Sequence, residues 1–172
     1  MKSLETSRLQ LSELSIYDAA FIFELLNSPG WLEFIGDRGI HDMEDARNYI
    51  LQGPRKSYAD HGFGLMAVKL KENGALLGIC GLLKREWLPH ADIGFAFLPQ
   101  FGERGYALEA AQGVMNSAWN DFNMEKVLAI TSPENIRSIK LLEKIGLGFK
   151  KLTHNPGEEE ELMLFSGNAP NQ

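Results

Sequence analysis

Between Pro99 and Ala110 the chain reads PQFGERGYALEA, with Gly102 and Gly105 three apart, Arg104 between them and a helix-forming run directly behind. A helix N-terminus presents backbone N–H groups that have no partner within the helix, together with about half a positive charge. Glycines ahead of it let a ligand approach the backbone closely. An anion, above all a phosphate, is the natural guest, and Arg104 adds a guanidinium fork that suits phosphate oxygens. The same residues also make a plain strand-to-helix turn, so the stretch alone leaves both readings open. Two named phosphate motifs are absent: the chain has no Gly-x-x-x-x-Gly-Lys-Ser/Thr, and no complete dinucleotide fingerprint followed by a ribose-binding acid.

Other chemistry-bearing residues are sparse. The single cysteine, Cys80, allows neither an internal disulfide nor a cysteine zinc cluster. It lies in LLGICGLL with no charged neighbour to lower its pKa, so it reads as a buried thiol rather than an acyl carrier. The four histidines, His41, His61, His90 and His154, lack close ligand spacing, and no metal site is expected. The acidic run Glu158 to Glu161 either attracts a cationic substrate or is a solvated loop, the latter being the commoner case. Trp31, Phe34 and Trp87 either line a pocket or fill the core.

The elements that must position these residues follow from periodicity. Strands are expected over 7–14, 63–70, 75–83, 91–98, 126–132, 148–154 and 161–167, with Asn73-Gly74 as a hairpin turn and NPGEEEE as the closing loop. Helices are expected over 15–30, 41–54, 106–121 and 133–146. Ser15 and Asp42 are their N-caps, and Pro29-Gly30, Gly53-Pro54 and Gly146 their stops. The tail from Gly167 reads as frayed. This order, an antiparallel block leading into strand–helix–strand–helix, is mixed α/β with helices covering a central sheet. The 172 residues carry no repeat and no linker, and are expected to form one domain, residues 1–172 with a core over about 7–167.

The bulk numbers exclude other classes. A formal net charge of −6 is unlike a basic nucleic-acid-binding domain. No apolar run approaches the ~20 residues of a membrane span, and the first residues lack the apolar stretch of a signal peptide. A cytoplasmic location is expected, with no nucleic acid or membrane as partner.

PENIRSIKLLEKIGLGF resembles the Asn-x-x-Ser/Ala-x-x-Leu-x-Glu-Lys-x-Gly-Phe segment of the GCN5-related N-acetyltransferases (GNAT), and PQFGERGYALEA resembles that superfamily's acetyl-CoA loop. The branch that acetylates ribosomal-protein N-termini commonly carries Pro-x-x-Trp-Gly-x-Gly-Tyr-Ala-x-Glu-Ala; here Pro99, Gly105, Tyr106, Ala107, Glu109 and Ala110 match. ETSRLQLSEL, GALLGICGLL and ADIGFAFLP are similar to the same branch, so the likeness runs through nearly the whole chain. It departs at Gly102, where the family places Arg, Gln or Trp, at Glu103, which replaces a usual Gly, and at Leu142, where many members carry a thiolate-protonating tyrosine.

The resemblance implies the GNAT fold: a mostly antiparallel sheet of about six or seven strands, splayed at the cofactor site and flanked by four helices. It implies acetyl-CoA as cosubstrate, without metal, and an amine acceptor, protein N-terminus or small amine, attacked directly. Phe97 and Leu98 would pair with the pantetheine arm. Gly102, Glu103, Arg104, Gly105, Tyr106 and Ala107 would meet the pyrophosphate, and Asn135 would hold the arm. Asp92 is the first candidate to take the amine proton, with His90 and Glu33 as rivals and a salt-bridged strand carboxylate as the plain alternative. Ser138, one turn after Asn135, is the remaining donor to the departing thiolate, and a backbone N–H near Leu98 would bind the oxyanion. A CoA-binding sensor with little turnover is the alternative function. The protein would be a monomer or homodimer.

Overall fold

Leu9 and Leu11 are fully buried while Gln10 between them and Ser12 after them are not, the alternation of a strand with one core face. The computed structural model describes residues 3–170, and it builds them around one eight-stranded sheet. The strands are β1 (Leu4–Glu5), β2 (Leu9–Glu13), β3 (Leu65–Leu70), β4 (Leu76–Leu83), β5 (Asp92–Phe97), β6 (Lys126–Thr131), β7 (Gly148–Thr153) and β8 (Leu162–Asn168). Their order is β1-β2-β3-β4-β5-β6-β8-β7. This is the expected mixed α/β fold with one strand more than expected, because the short β1 folds back on β2.

All neighbouring pairs are antiparallel except β5 and β6, which run parallel and meet at a single register pair, Asp92 with Leu128. Beyond that point the strands separate, although β5 stays paired with β4 along its whole length and β6 with β8. The sheet is therefore split open from Asp92 onward.

Helices cover both faces. Ser15 caps the first as a capping box: its side chain accepts from Tyr17 N–H and its own N–H donates to Asp18. A 3₁₀ turn then leads into α1 (Ala19–Leu26). Asp42 caps α3 (Met43–Ile50) by accepting from Asp45 N–H at 2.8 Å. Ile22 and Leu25 of α1 and Ala46 and Ile50 of α3 pack on Ala67 and Ile79 of the sheet. On the opposite face Ala110 and Val114 of α5 (Tyr106–Asn120) and Leu142 of α6 (Ile136–Lys144) pack on Leu9, Val68 and Ile93.

Three expectations fail locally. Pro29 does not end a helix but starts one: α2 (Pro29–Phe34) has it at its first position, where a missing N–H costs nothing. Gly53-Pro54 does not end α3 either. A π turn over Leu51–Arg55 carries the chain past Pro54 into α4 (Lys56–His61), which stops at Gly62 with φ +78°. The wider turn reroutes the hydrogen bonds that a proline would break. The tail is not frayed at Gly167: β8 runs on to Asn168, and Ala169 N–H bonds to Glu125 C=O at 2.9 Å. The last two residues of that tail lie outside the described residues.

Candidate active site

The split between β5 and β6 leaves strand backbone unpaired. Leu98 N–H donates to Leu77 C=O at 2.9 Å, which places Leu98, and by alternation Ala96 and Gly94, with their backbone groups toward β4. Phe95 and Phe97 accordingly turn their N–H and C=O toward the gap. The Leu98 N–H is thus already used, and of the backbone donors near Leu98 the N–H of Phe97 is the one that faces the gap. Alternation also sends the Asp92 side chain to the face covered by α1 and α3, away from Ile93.

The loop after β5 delivers the glycine turn. Gly105 is the N-cap of α5 with φ +78°, a left-handed conformation that side chains disfavour. The N–H groups of Tyr106, Ala107 and Leu108 behind it lack intrahelical partners. Arg8, from β2's approach, fastens this turn from outside. Its Nη1 donates to Arg104 C=O at 3.0 Å, its Nε donates to Glu109 at 2.7 Å, and its guanidinium stacks 4.5 Å from the Tyr106 ring centre. The Thr6 hydroxyl also donates to Glu109. Burial alone raises the Glu109 carboxyl, but the donors of Thr6 and Arg8 outweigh it and hold it below the usual carboxylate range.

Two cavities open here. A groove of about 630 Å³ runs beneath the loop, lined by Phe97, Leu98, Gly102, Glu103, Gly105, Tyr106 and Ala107, with Arg137, Lys140 and Lys144 of α6 along its other wall. A chamber of about 420 Å³ contains Asp92, Arg85, Arg38 and Tyr49, with Glu158 and Glu160 on its exposed side. Trp31, Phe34, Ile35, Phe95, Asn135 and Ser138 line both, so groove and chamber meet at these side chains. The Trp31 indole N–H at this junction is buried without a hydrogen-bond partner among the described residues, and such donors are uncommon.

Among the sequence candidates, Asp92 and Ser138 therefore face one chamber. Asp92 is almost fully buried, and Arg85 Nε bonds both its oxygens. Burial pushes its carboxyl up, while Arg85 and Lys84 pull it partly back. Asn135 caps α6 through Oδ1, which accepts Ser138 N–H at 3.2 Å, leaving its amide NH₂ free to donate. The Ser138 hydroxyl has no partner among the described residues. His90 and Glu33 are exposed and line neither cavity. Arg104 is exposed and stands outside the groove lining. Trp87 packs with Leu88 and Leu164 instead of lining the chamber, and Cys80 is a core thiol that burial pushes well up. Sequence reasoning missed Arg137, Lys140 and Lys144, whose i, i+3, i+7 spacing puts them on one helix face. The β7–β8 loop brings Glu158 and Glu160 of the acidic run, both exposed, to the mouth of the chamber.

Among the described residues no helix is long and apolar enough to cross a membrane. A family model described as "Acetyltransferase (GNAT) domain" matches residues 8–148. The chain is 27% identical over 159 residues to an uncharacterized N-acetyltransferase of Bacillus subtilis, YnaD, covering 91% of this chain and 90% of the relative. In fold it is similar to an acetyltransferase from Agrobacterium tumefaciens (TM-score 0.83, 23% identity, 98% of this chain and 95% of the other). A similar likeness links it to RimL, a ribosomal L7/L12 alpha-N-protein acetyltransferase solved in complex with coenzyme A (TM-score 0.82, 11% identity, 97% and 98%). With the split sheet, the glycine-capped loop and this match over most of its length, the chain belongs to the GNAT acetyltransferase family.

Proposed function

We propose that this acetyltransferase takes its acetyl group from acetyl-CoA laid in the groove and transfers it to a primary amine held in the chamber, by direct attack of the amine on the thioester. The observation that carries this reading is the junction: Ser138 and Asn135 line both cavities, so a thioester at the groove's end and an amine in the chamber meet at them. Acetyl-CoA supplies an acetyl group already activated as a thioester.

The residues of the chain do the rest. The N–H groups of Tyr106 and Ala107 hold the diphosphate. The Asn135 amide and the gap-facing backbone of Phe97 hold the pantetheine arm. Glu158 and Glu160 draw the acceptor in as an ammonium, because an N-terminal amine with pKa ~8 and a lysine-type amine with ~10.4 both arrive largely protonated. Asp92 takes the proton, directly or through water; its burial brings its basicity nearer to that of the amine, which favours transfer. Phe97 N–H steadies the oxygen that gains charge during attack. As the carbon–sulfur bond breaks, the Ser138 hydroxyl donates to the departing thiolate and takes in its place the second proton that the newly acylated nitrogen sheds, so the products are the amide and the free thiol.

The test is free-thiol release from acetyl-CoA with peptides, polyamines and aminoglycosides as acceptors, alongside calorimetric titration with acetyl-CoA. Binding together with acceptor-dependent thiol release supports the reading; absence of binding overturns it. Leu142, buried in the core at the position of the family's tyrosine, favours a second reading, a CoA-binding sensor. Tight binding with no release across all three acceptor classes selects that one.

A further inference from the structure

The groove's walls are unequal in charge. Arg137, Lys140 and Lys144 line it from α6, and Glu103 is the one carboxylate among the described residues around it. That carboxylate is paired: Arg137 Nη2 donates to Glu103 Oε1 at 3.0 Å. The guanidinium lies over the turn itself, since Arg137 Nη1 is 3.5 Å from where a Cβ on Gly102 would stand. Both side chains of the pair are 81% exposed. An ion pair so exposed contributes little to the fold and exchanges partners readily. Glu103 also has φ +64°, a conformation in which a non-glycine residue is strained. A strained residue thus offers its carboxylate to a guanidinium beside the N–H groups that suit a phosphate.

We propose that Arg137 is a ligand of the cofactor's diphosphate and that Glu103 is its built-in placeholder, which the diphosphate must displace in order to bind. The inference rests on acetyl-CoA occupying the groove, as argued above. The fork of Arg137 suits two phosphate oxygens better than one carboxylate oxygen, so the exchange runs toward the cofactor. Returning the arginine to Glu103 favours release of the product. Lys140 and Lys144, about 5 and 10 Å further along the helix, have no ion-pair partner among the described residues and add field without an exchange.

A double-mutant cycle tests it, with acetyl-CoA affinity read by calorimetry at low salt for wild type, Glu103→Gln, Arg137→Ala and the double variant. All four are expected to fold alike, as both side chains are exposed. Glu103→Gln is expected to tighten binding about fivefold, and Arg137→Ala to weaken it about tenfold. In the Arg137→Ala background the gain from Glu103→Gln is expected to fall below about twofold, whereas in a Lys144→Ala background it persists. The same pattern is expected with 3′-dephospho-CoA, which retains the diphosphate. Equal gains in every background would reduce Glu103 to simple repulsion and overturn the exchange. Coupling that vanishes with 3′-dephospho-CoA would overturn the diphosphate assignment. A wild type without affinity for acetyl-CoA would overturn this and the proposed function together, whereas intact binding with an additive cycle overturns this inference alone.

Discussion

Arg85 Nε lies 3.2 and 3.1 Å from the two carboxylate oxygens of Asp92, so the carboxylate in the chamber is held by a single nitrogen from a side chain that is itself partly exposed. Burial raises the Asp92 carboxyl above its ordinary value and the arginine offsets only part of this. With a folded value above the unfolded one, its contribution to stability is present in full below the ordinary carboxylate range and is lost as pH rises through the folded value. The stability of wild type relative to Asp92→Asn is therefore expected to rise between pH 7 and 4.5, as urea unfolding of both proteins would show; a difference that shrinks on acidification refutes it. In turnover, Asp92→Asn is expected to lose about 100-fold or more at neutral pH, and to recover as pH rises and the acceptor amine deprotonates unaided.

Glu109 has the opposite sign. The Thr6 and Arg8 donors hold its folded value below the usual range, so the stability it contributes is present above its unfolded value and disappears as pH falls through the folded one. Glu109→Gln is expected to cost about 2 kcal/mol at pH 7, the scale of a charged hydrogen bond, and much less near pH 3. Because the same carboxylate anchors Arg8, which holds the Arg104 carbonyl, the KM for acetyl-CoA is expected to rise while the KM for the amine stays put. Equal changes in both would mean that the Arg8 clamp does not act on the loop.

What the sequence discloses about this molecule depends on the range of the interaction. Ser15, Asp42 and Asn135 are legible as helix caps because a cap is closed within three residues. The Asn73-Gly74 turn is legible for the same reason, with Gly74 at φ +73°. The course past Pro54 is not: proline says that an α-helical bond is missing, and only packing decides whether a π turn replaces it. Within the site, the glycine loop and Asn135 are local motifs. The Glu103–Arg137 pair joins residues 34 apart, so no local pattern announces it; the acidic run of Glu158 and Glu160 is visible in the sequence, but its place at the chamber is set by β7 and β8. The partner of Leu98 N–H depended on strand register, which periodicity alone leaves open.

Glu103 at φ +64° sets two known effects against each other. A left-handed non-glycine residue carries about 1–2 kcal/mol of strain, and glycine adds about 0.5–1 kcal/mol of unfolded-state entropy. Strain is the larger, and the exposed ion pair adds little. Glu103→Gly is therefore expected to leave the melting temperature unchanged or raise it by a few degrees. A melting temperature several degrees lower would show that the ion pair with Arg137 outweighs the strain.

Ser138 and Asn135 stand one turn apart at the junction of groove and chamber, and their variants separate chemistry from binding. The Ser138 hydroxyl has no partner among the described residues, so Ser138→Ala removes a proton donor and little else. It is expected to lower kcat about 100-fold with acetyl-CoA affinity within about threefold of wild type. That loss is not relieved by deprotonating the amine, so it persists at the pH where Asp92→Asn recovers. Asn135 does two things through different atoms: Oδ1 caps the helix at Ser138 N–H, and the NH₂ is free for the pantetheine arm. Asn135→Ala loses both, and is expected to cost about 1 kcal/mol of stability as well as affinity. Asn135→Asp keeps an equally good capping oxygen but has no donor, so its stability is expected to match wild type while acetyl-CoA affinity falls about tenfold. Paired thermal melts and calorimetry decide the matter: an Asn135→Asp protein with full affinity would leave Asn135 a helix cap and nothing more.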